Sequence, residues 1–268
     1  MWFFPSLLAW AVDVTDAVVV RATAVGESDL VLGLYTRALG RVSAVARGAR
    51  SSRRRFAGAL GTLVVSEVVL ARRSRGGELW SLDQATPRED HSALAADPIA
   101  LGHASYGIEL VRELTPAEVP DPAILELLVE LWRQLAAGPA PSLLRGFELR
   151  LCALLGSDIA LDQCAACHDD ERLDDGAVFD PTRGGVVCQA CAAGSRGPGV
   201  RPLPGPARHY LQAVARAPLG GARALDAADD ERIAAREAVL AFVGHLVGRP
   251  LRTIAYVTQV HAALRRPV

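Results

Sequence analysis

Lysine is absent from the 268-residue chain; all 29 of its basic residues are arginine. A Walker-type phosphate loop and a Schiff-base enzyme each need a lysine, so both are excluded. The sequence also lacks a His-Glu-x-x-His pair, a Gly-x-Ser-x-Gly turn and a cysteine free to act beside a histidine. Its six histidines, His91, His103, His168, His209, His245 and His261, are scattered. His245 falls among apolar neighbours on a helical pattern, which predicts a buried histidine. No stretch is long and apolar enough to cross a bilayer. The apolar start, Met1 to Trp10, has no basic n-region and no long h-region. It is expected to be an extension of about a dozen residues ahead of the domain rather than a signal peptide. Internal repeats are absent as well.

Half of the residues are hydrophobic, which makes this a globular chain with room for two domains. Of its five cysteines, four form Cys164-Ala-Ala-Cys167 and Cys188-Gln-Ala-Cys191, with twenty residues between the pairs. A Cys-x2-Cys knuckle aims two thiolates at one ion from a tight turn, and zinc takes four such ligands at tetrahedral corners. The spacing predicts one structural zinc ion on Cys164, Cys167, Cys188 and Cys191. Four thiolates leave no open position, so the metal would carry no reaction. The alternatives are two redox dithiols or a pair of disulfides, which a reducing interior disfavours. His168, just after the first knuckle, could support a ligand or replace one. Asp169-Asp170 and Asp174-Asp175 read as a solvated loop. Between the knuckles, Val178-Phe179 and Val186-Val187 flank a turn from Asp180 to Gly185 and predict a small hairpin ribbon. Cys152 sits in an apolar helical pattern and reads as a buried free thiol. A zinc site beside an odd cysteine points to a cytoplasmic protein.

Charge is unevenly spread. Residues 21–75 hold eleven arginines against three acids, whereas residues 81–200 hold eight against nineteen. Within the first segment, Arg47, Arg50, Arg53, Arg54 and Arg55 place five guanidiniums in nine residues. No acid occurs between Asp29 and Glu67, and Arg37 and Arg41 flank the preceding turn. Guanidinium forks match phosphate and stack on bases, and Ser51 and Ser52 can add hydrogen bonds. The plainer alternative is a solvated loop that keeps the protein soluble. Phe56 fits either a base-stacking side chain or one re-entering the core; Tyr35 and Trp80 are assigned to the core.

Residues 17–85 read as five strands: Ala17–Ala22, Leu30–Tyr35, Arg41–Arg47, Leu63–Arg72 and Leu79–Ala85. Glycines punctuate them, and five short strands suit a small closed barrel of the OB type. Beyond residue 90 the period becomes helical. Asp97-Pro98 and Asp121-Pro122 each set a capping aspartate before a proline at the first helical position, opening helices to Leu114 and Ala137. Ser142 is expected to cap the next helix, which runs to Gly156. Gly138, Gly156 and Gly248 are placed as C-terminal stops. Gly194–Pro206 reads as a linker, and helices are expected over Ala207–Arg216, Asp230–Val247 and Arg252–Leu264. The fold class is therefore α+β: an N-terminal five-stranded OB-fold barrel (13–88), then a helical domain in two halves (89–160 and 201–268) with a four-cysteine zinc ribbon inserted (161–200).

Ordered fragments of the chain resemble the bacterial RecO family. They are Gly26-Glu-Ser-Asp29, Leu34-Tyr-Thr-Arg37-Ala-Leu-Gly40-Arg41, Ala46-Arg-Gly-Ala-Arg50, Gly77-Glu-Leu-Trp80, Ala104-Ser-Tyr-Gly-Ile-Glu-Leu110, Phe147-Glu-Leu-Arg150, the four cysteines and Gly184-Gly185. His168 stands where that family often has glycine. The resemblance implies a DNA repair and recombination mediator, not an enzyme. Such a protein binds single- and double-stranded DNA and anneals complementary strands. It works with RecR, and in some species RecF, to load RecA onto DNA coated by single-strand binding protein, and some members bind that protein's acidic tail. Carried over by position, the DNA-facing residues are Arg37, Arg41, Arg47, Arg50, Arg53, Arg54 and Arg55. Two competing classes are a metal-dependent enzyme, for which the sequence offers no open site, and a scaffold whose arginines face an acidic partner tail.

Overall fold

The computed structural model describes residues 10–52, 54–73, 79–171, 173 and 176–264. The chain divides into two compact units, Met1–Ala93 with Thr115–Val129, and Leu94–Leu114 with Glu130–Val268.

In the first unit, five strands close into a barrel: β1 (Trp10–Val25), β2 (Asp29–Thr36), β3 (Gly40–Ala46), β4 (Val64–Arg73) and β5 (Trp80–Asp90). Their order around the barrel is β1-β2-β3-β5-β4, with β3 and β5 parallel and every other pair antiparallel. This is the five-stranded Greek-key arrangement of an OB-fold. Closure depends on β1 serving two neighbours. Trp10–Val18 pairs with β4, Ala17–Val25 pairs with β2, and a register shift lies between Val19 and Arg21. A bulge there increases the local twist and lets one strand turn the barrel's corner. Alternate residues face inward, so Leu32, Leu34, Val42, Ala44, Val68, Leu70 and Leu82 form the core.

β1 begins at Trp10, so residues 10–12 belong to the barrel rather than to a preceding extension; the extension expected over 1–9 lies outside the described residues. β1 and β5 both outrun the expected strands, because residues 10–16 and 86–90 each pair with β4; the β1 end is apolar, but its Val12 and Val14 are exposed. Tyr35, Trp80 and Phe56 are all buried. Gly40, at φ +67, closes the β2–β3 turn, and a Cβ there would lie 2.2 Å from the Val119 carbonyl oxygen. That contact belongs to a segment laid on the barrel: the Glu118 amide donates to the Arg41 carbonyl at 2.9 Å, and Tyr35 Oη donates to the Asp121 carbonyl at 3.0 Å.

A short 3-10 turn, Ser92–Ala96, precedes α1 (Pro98–Leu114), α2 (Pro122–Ala136) and α3 (Pro141–Leu154). The boundary between the units falls within α2. The caps at Asp97 and Asp121 form as expected, their Oδ1 atoms accepting the amides of Ile99 at 2.8 Å and Ala123 at 2.9 Å. Ser142 does not cap α3: Ala140 holds the cap position and Pro141 takes the first turn. The fixed φ of proline starts that helix where no side-chain cap is present. Gly138, Gly156 and Gly248 all have positive φ, as helix stops require.

The second unit packs around α3, which is flanked by α1, α5 (Gly205–Arg216), α6 (Leu219–Ala222) and α7 (Asp229–Val247). Trp132, Phe147, Leu151, Leu211 and Val239 fill its core. Cys152 is buried there, and burial pushes its thiol up to about 12. His245 is exposed, against expectation, because the apolar residues of α7 that face inward are Ala235, Ala238, Val239, Phe242 and Val243. The last helix, α8 (Arg252–Leu264), lies on α1. Buried Glu109 of α1 caps it from across the interface, accepting the amides of Arg252 at 3.1 Å and Thr253 at 2.9 Å. Its negative charge also faces the positive end of the α8 dipole.

The ribbon contains β6 (Val178–Asp180), β7 (Gly185–Val187) and the one-turn helix α4 (Gln189–Ala192). The stretch read as a linker supplies β8 (Arg201–Pro202), which extends the sheet in the order β7-β6-β8. Backbone pairing to β6 and an ion pair from Arg201 to Glu237 of α7 at 3.8 Å hold so short a strand, and its Gly/Pro surroundings hide it in the sequence.

Candidate nucleic-acid interface and metal centre

The arginine-rich segment joins β3 to β4, and its own residues fix it to the barrel. Phe56 and Ala59 are part of the barrel core. The Arg55 carbonyl accepts the Ala85 amide at 2.9 Å, and Ser66 Oγ donates to the Ala59 carbonyl at 2.7 Å. At the loop's start, Asp29 Oδ1 accepts the Gly48 amide at 2.8 Å and the Ser28 hydroxyl at 3.1 Å. That amide bond leads in holding the Asp29 carboxyl below the ordinary carboxylate range. The Arg50 amide donates to the Ser28 carbonyl at 3.0 Å, so the β1–β2 turn and the basic loop brace one another.

Arg47, Arg50, Arg54 and Arg55 are exposed. Among the described residues none of these four forms an ion pair. Arg50 donates instead to the Glu27 carbonyl at 3.0 Å, and Arg55 donates to the Arg47 carbonyl at 2.6 Å. The Arg55 guanidinium also lies over the Phe56 ring, 4.9 Å from its centroid. A neutral carbonyl orients a guanidinium without cancelling its charge. Among the described residues Asp29, whose carboxyl the Arg47 charge also helps to lower, is the one acid shown acting on these four, so the loop keeps a net positive field. Arg53 lies outside the described residues.

Arg37 and Arg41 are engaged differently. Arg37 pairs with Glu126 at 2.6 Å and Asp16 at 3.6 Å, and the Glu126 hydrogen bond raises its pKa above the ordinary guanidinium value. Arg41, half-buried, donates from Nε to the Thr115 carbonyl at 2.9 Å. Both hold the 115–129 segment on the barrel. The absence of nearby acids in sequence did not reveal this, because Glu126 is 89 residues from Arg37. A third fixed arginine, Arg72, pairs with Glu118 at 2.7 Å and lies 5.4 Å from the centroid of Trp80, whose Nε1 donates to the same carboxylate. Nothing in the sequence placed these three groups together.

In the second unit, the ligand atoms of Cys164, Cys167, Cys188 and Cys191 all lie within 4.8 Å of one another. The Cys167 and Cys188 sulfurs are 3.9 Å apart. Zinc–sulfur bonds of about 2.3 Å at tetrahedral angles put sulfurs about 3.8 Å apart, so the cluster fits one ion. The four cysteines could hold a metal ion; among the described residues no other group of three or more potential ligands gathers. Backbone geometry sets the site. His168 follows the first knuckle in the left-handed region at φ +61, and its amide donates to the Cys164 carbonyl at 2.8 Å. Histidine thus tolerates the conformation that glycine would adopt more freely; its side chain is exposed, and the cluster consists of the four cysteines. The amides of Ala166 and Cys188 donate to Cys164 Sγ, each at 3.4 Å. Burial opposes ionisation of that thiol, but the amides outweigh it and pull it down to about 6, toward the thiolate a metal takes.

The hairpin carrying the second knuckle is equally constrained. Asp180, buried, accepts the Thr182 amide at 2.9 Å and the Thr182 hydroxyl at 2.7 Å, and Gly184 turns at φ +72. Gly185 lies so close to Ala160 that a Cβ would come within 2.4 Å of the Ala160 carbonyl oxygen. The two glycines therefore allow the ribbon to dock against the segment before the first knuckle. Among the described residues no helix is long and apolar enough to cross a membrane.

Two family models match the chain in succession. Residues 13–90 match the recombination protein O N-terminal model, and residues 95–254 match the recombination protein O C-terminal model. A DNA repair protein RecO of Anaeromyxobacter sp. (strain K) is 40% identical over 253 residues, covering 91% of this chain and 94% of its own. That of Myxococcus xanthus is 35% identical with 91% and 96% covered, and that of Desulforudis audaxviator 33% with 92% and 96%. With both models matched in order and relatives of this identity aligned over nearly their whole length, the chain belongs to the RecO family of DNA repair proteins.

Proposed function

We propose that the chain is a DNA-binding recombination mediator without catalytic chemistry of its own. The observation that carries this is the basic loop: Arg47, Arg50, Arg54 and Arg55 face solvent, the Arg50 and Arg55 guanidiniums bonded only to backbone carbonyls, on a segment pinned by Phe56 and Asp29. Arg53 stands in the same run and is assigned the same role. Arg37 and Arg41 flank the interface and serve it by holding the barrel's neighbouring segment, so their contacts to DNA would be secondary.

Phosphates are the natural ligand of this loop. Guanidiniums bind them bidentately, and such contacts carry no sequence information. Phe56, Tyr35 and Trp80 are buried, which leaves no aromatic platform for bases among them. Binding would therefore tolerate any sequence and accept single and double strands. Annealing follows from screening, because arginines that neutralise two strands let their bases meet. Family membership supports the rest of the role: cooperation with RecR, and with RecF where present, contact with the single-strand binding protein tail, and loading of RecA on coated DNA. It also supports a cytoplasmic protein that joins the nucleoid during repair.

The four cysteines are assigned one structural zinc ion. With four protein ligands the metal would have no open position for substrate or water. Its contribution would be to bind the two knuckles together and so order the ribbon.

The test is fluorescence anisotropy with a labelled single-stranded oligonucleotide across a salt series. Binding that weakens steeply as salt rises is the expected result. No binding at low salt would remove the DNA assignment and leave a scaffold that uses the same arginines on an acidic peptide.

A further inference from the structure

The four cysteines are not equally sheltered. Cys164 and Cys188 are buried, Cys191 is half-buried, and Cys167 is exposed. The difference follows from the knuckle itself. Two amides donate to the Cys164 sulfur, whereas Cys167 and the left-handed His168 that follows it are both exposed. A metal-bound sulfur is a thiolate, so it needs to lose no proton before attacking an electrophile. Access then decides which of the four reacts first.

We propose that Cys167 is an oxidation site, whose thiolate attacks a hydroperoxide and thereby causes the ribbon to release its ion. The Cys167 sulfur takes one oxygen of hydrogen peroxide; the O–O bond breaks, hydroxide departs and a sulfenic acid remains. The Cys188 sulfur, 3.9 Å away, attacks that sulfur and expels the oxygen as a second hydroxide. Two thiolates have lost two electrons to form one S–S bond, and the peroxide, with two protons, has become two waters. A disulfide requires its sulfurs about 2.05 Å apart, much closer than two ligands of one tetrahedral ion can lie. The bond and the complete metal site therefore exclude one another. Cys152 provides an internal reference, since it is buried in the helical core away from the cluster.

The inference rests on the metal assignment, and the experiment separates the two. Metal content of the purified chain is measured first. Limiting hydrogen peroxide is then added with a colorimetric zinc chelator present, remaining thiols are alkylated, and peptides are mapped by mass spectrometry. The expected result is about one zinc released per disulfide, with Cys167 joined to Cys188 and Cys152 still reduced; dithiothreitol and zinc restore the starting state. A Cys167→His variant retains a ligand but lacks the exposed thiolate, and its zinc release should be at least about tenfold slower, because susceptibility follows thiolate character and exposure. If the purified chain carries no metal, both assignments fall. If zinc is present but leaves while Cys167 remains reduced, the oxidation site alone is refuted, and this holds whether or not the histidine variant folds.

Discussion

Neutralising the basic loop should change how DNA affinity depends on salt more distinctively than it changes affinity at any one concentration. Each phosphate neutralised on a single strand contributes about 0.7 to the slope of log K against log salt. Arg47, Arg50, Arg54 and Arg55 are exposed and lack ion pairs among the described residues. If each covers one phosphate, the four account for a slope of about −2.8, or roughly a fiftyfold loss of affinity between 50 and 200 mM salt. Changing all four to glutamine should flatten the slope by about that amount. Arg55 also lies over Phe56 and bonds to the Arg47 carbonyl, so the full variant risks disturbing the loop. The Arg50→Gln, Arg54→Gln pair keeps Arg55 in place, loses only the exposed Arg50 bond to the Glu27 carbonyl, and should flatten the slope by about 1.4. Arg37→Gln is the contrast: its charge is already shared with Glu126 and Asp16, so the slope should hardly move. Its pair is solvent-exposed, and stability should fall by only about 0.2–1 kcal/mol. The assay is anisotropy at five or more salt concentrations, with a thermal melt of each variant to confirm the fold. A folded pair variant whose slope equals that of the parent would refute the assignment of phosphates to this loop.

Three further outcomes follow from the packing and the charges. Phe56→Ala removes a buried aromatic anchor, so urea denaturation should show a loss of about 3–5 kcal/mol in the barrel transition, and DNA binding should weaken although every arginine remains. Cys164→Ser should abolish zinc stoichiometry by elemental analysis and loosen the ribbon to proteolysis; a variant that still carries one zinc per chain would contradict the ligand set. Glu113 gives a pH signature. Burial would raise its pKa, but hydrogen bonds from Arg112 and Arg249 outweigh that and place it below 4.5. A depressed folded value means a stabilising contribution that is present above the unfolded pKa, near 4.5, and is lost as pH falls through the folded value. Melts of Glu113→Gln across pH 3–7 should therefore show a smaller acid loss than the parent; an identical profile would show that the pair contributes nothing.

Which parts of this molecule its sequence revealed depends on how far apart the cooperating residues lie. The knuckles, the hairpin between them and the capping aspartates at 97 and 121 are local, since spacing or one nearby backbone amide defines each. The five strands were visible as β-branched and alternating runs. The double role of β1 was not, because it depends on two partner strands reached through different halves of one segment. His245 shows the same limit on a helix. Its neighbours are apolar, but burial along α7 ends at Val243, and Gly244, His245 and Leu246 beyond it are all exposed, so the last turn runs past the packed core. Charge behaves similarly. An arginine in an acid-free stretch appears unpaired from sequence alone, yet Arg37 is paired across 89 residues, whereas the Arg50 and Arg55 guanidiniums are met by backbone carbonyls. Composition therefore located the positive field, and only the fold separated the arginines that build the barrel from those left exposed without an ion pair among the described residues. That separation makes the Arg37 variant the informative control: identical in residue type and close in sequence to the loop, it should differ from Arg50 and Arg54 solely because its carboxylate partners are already in place.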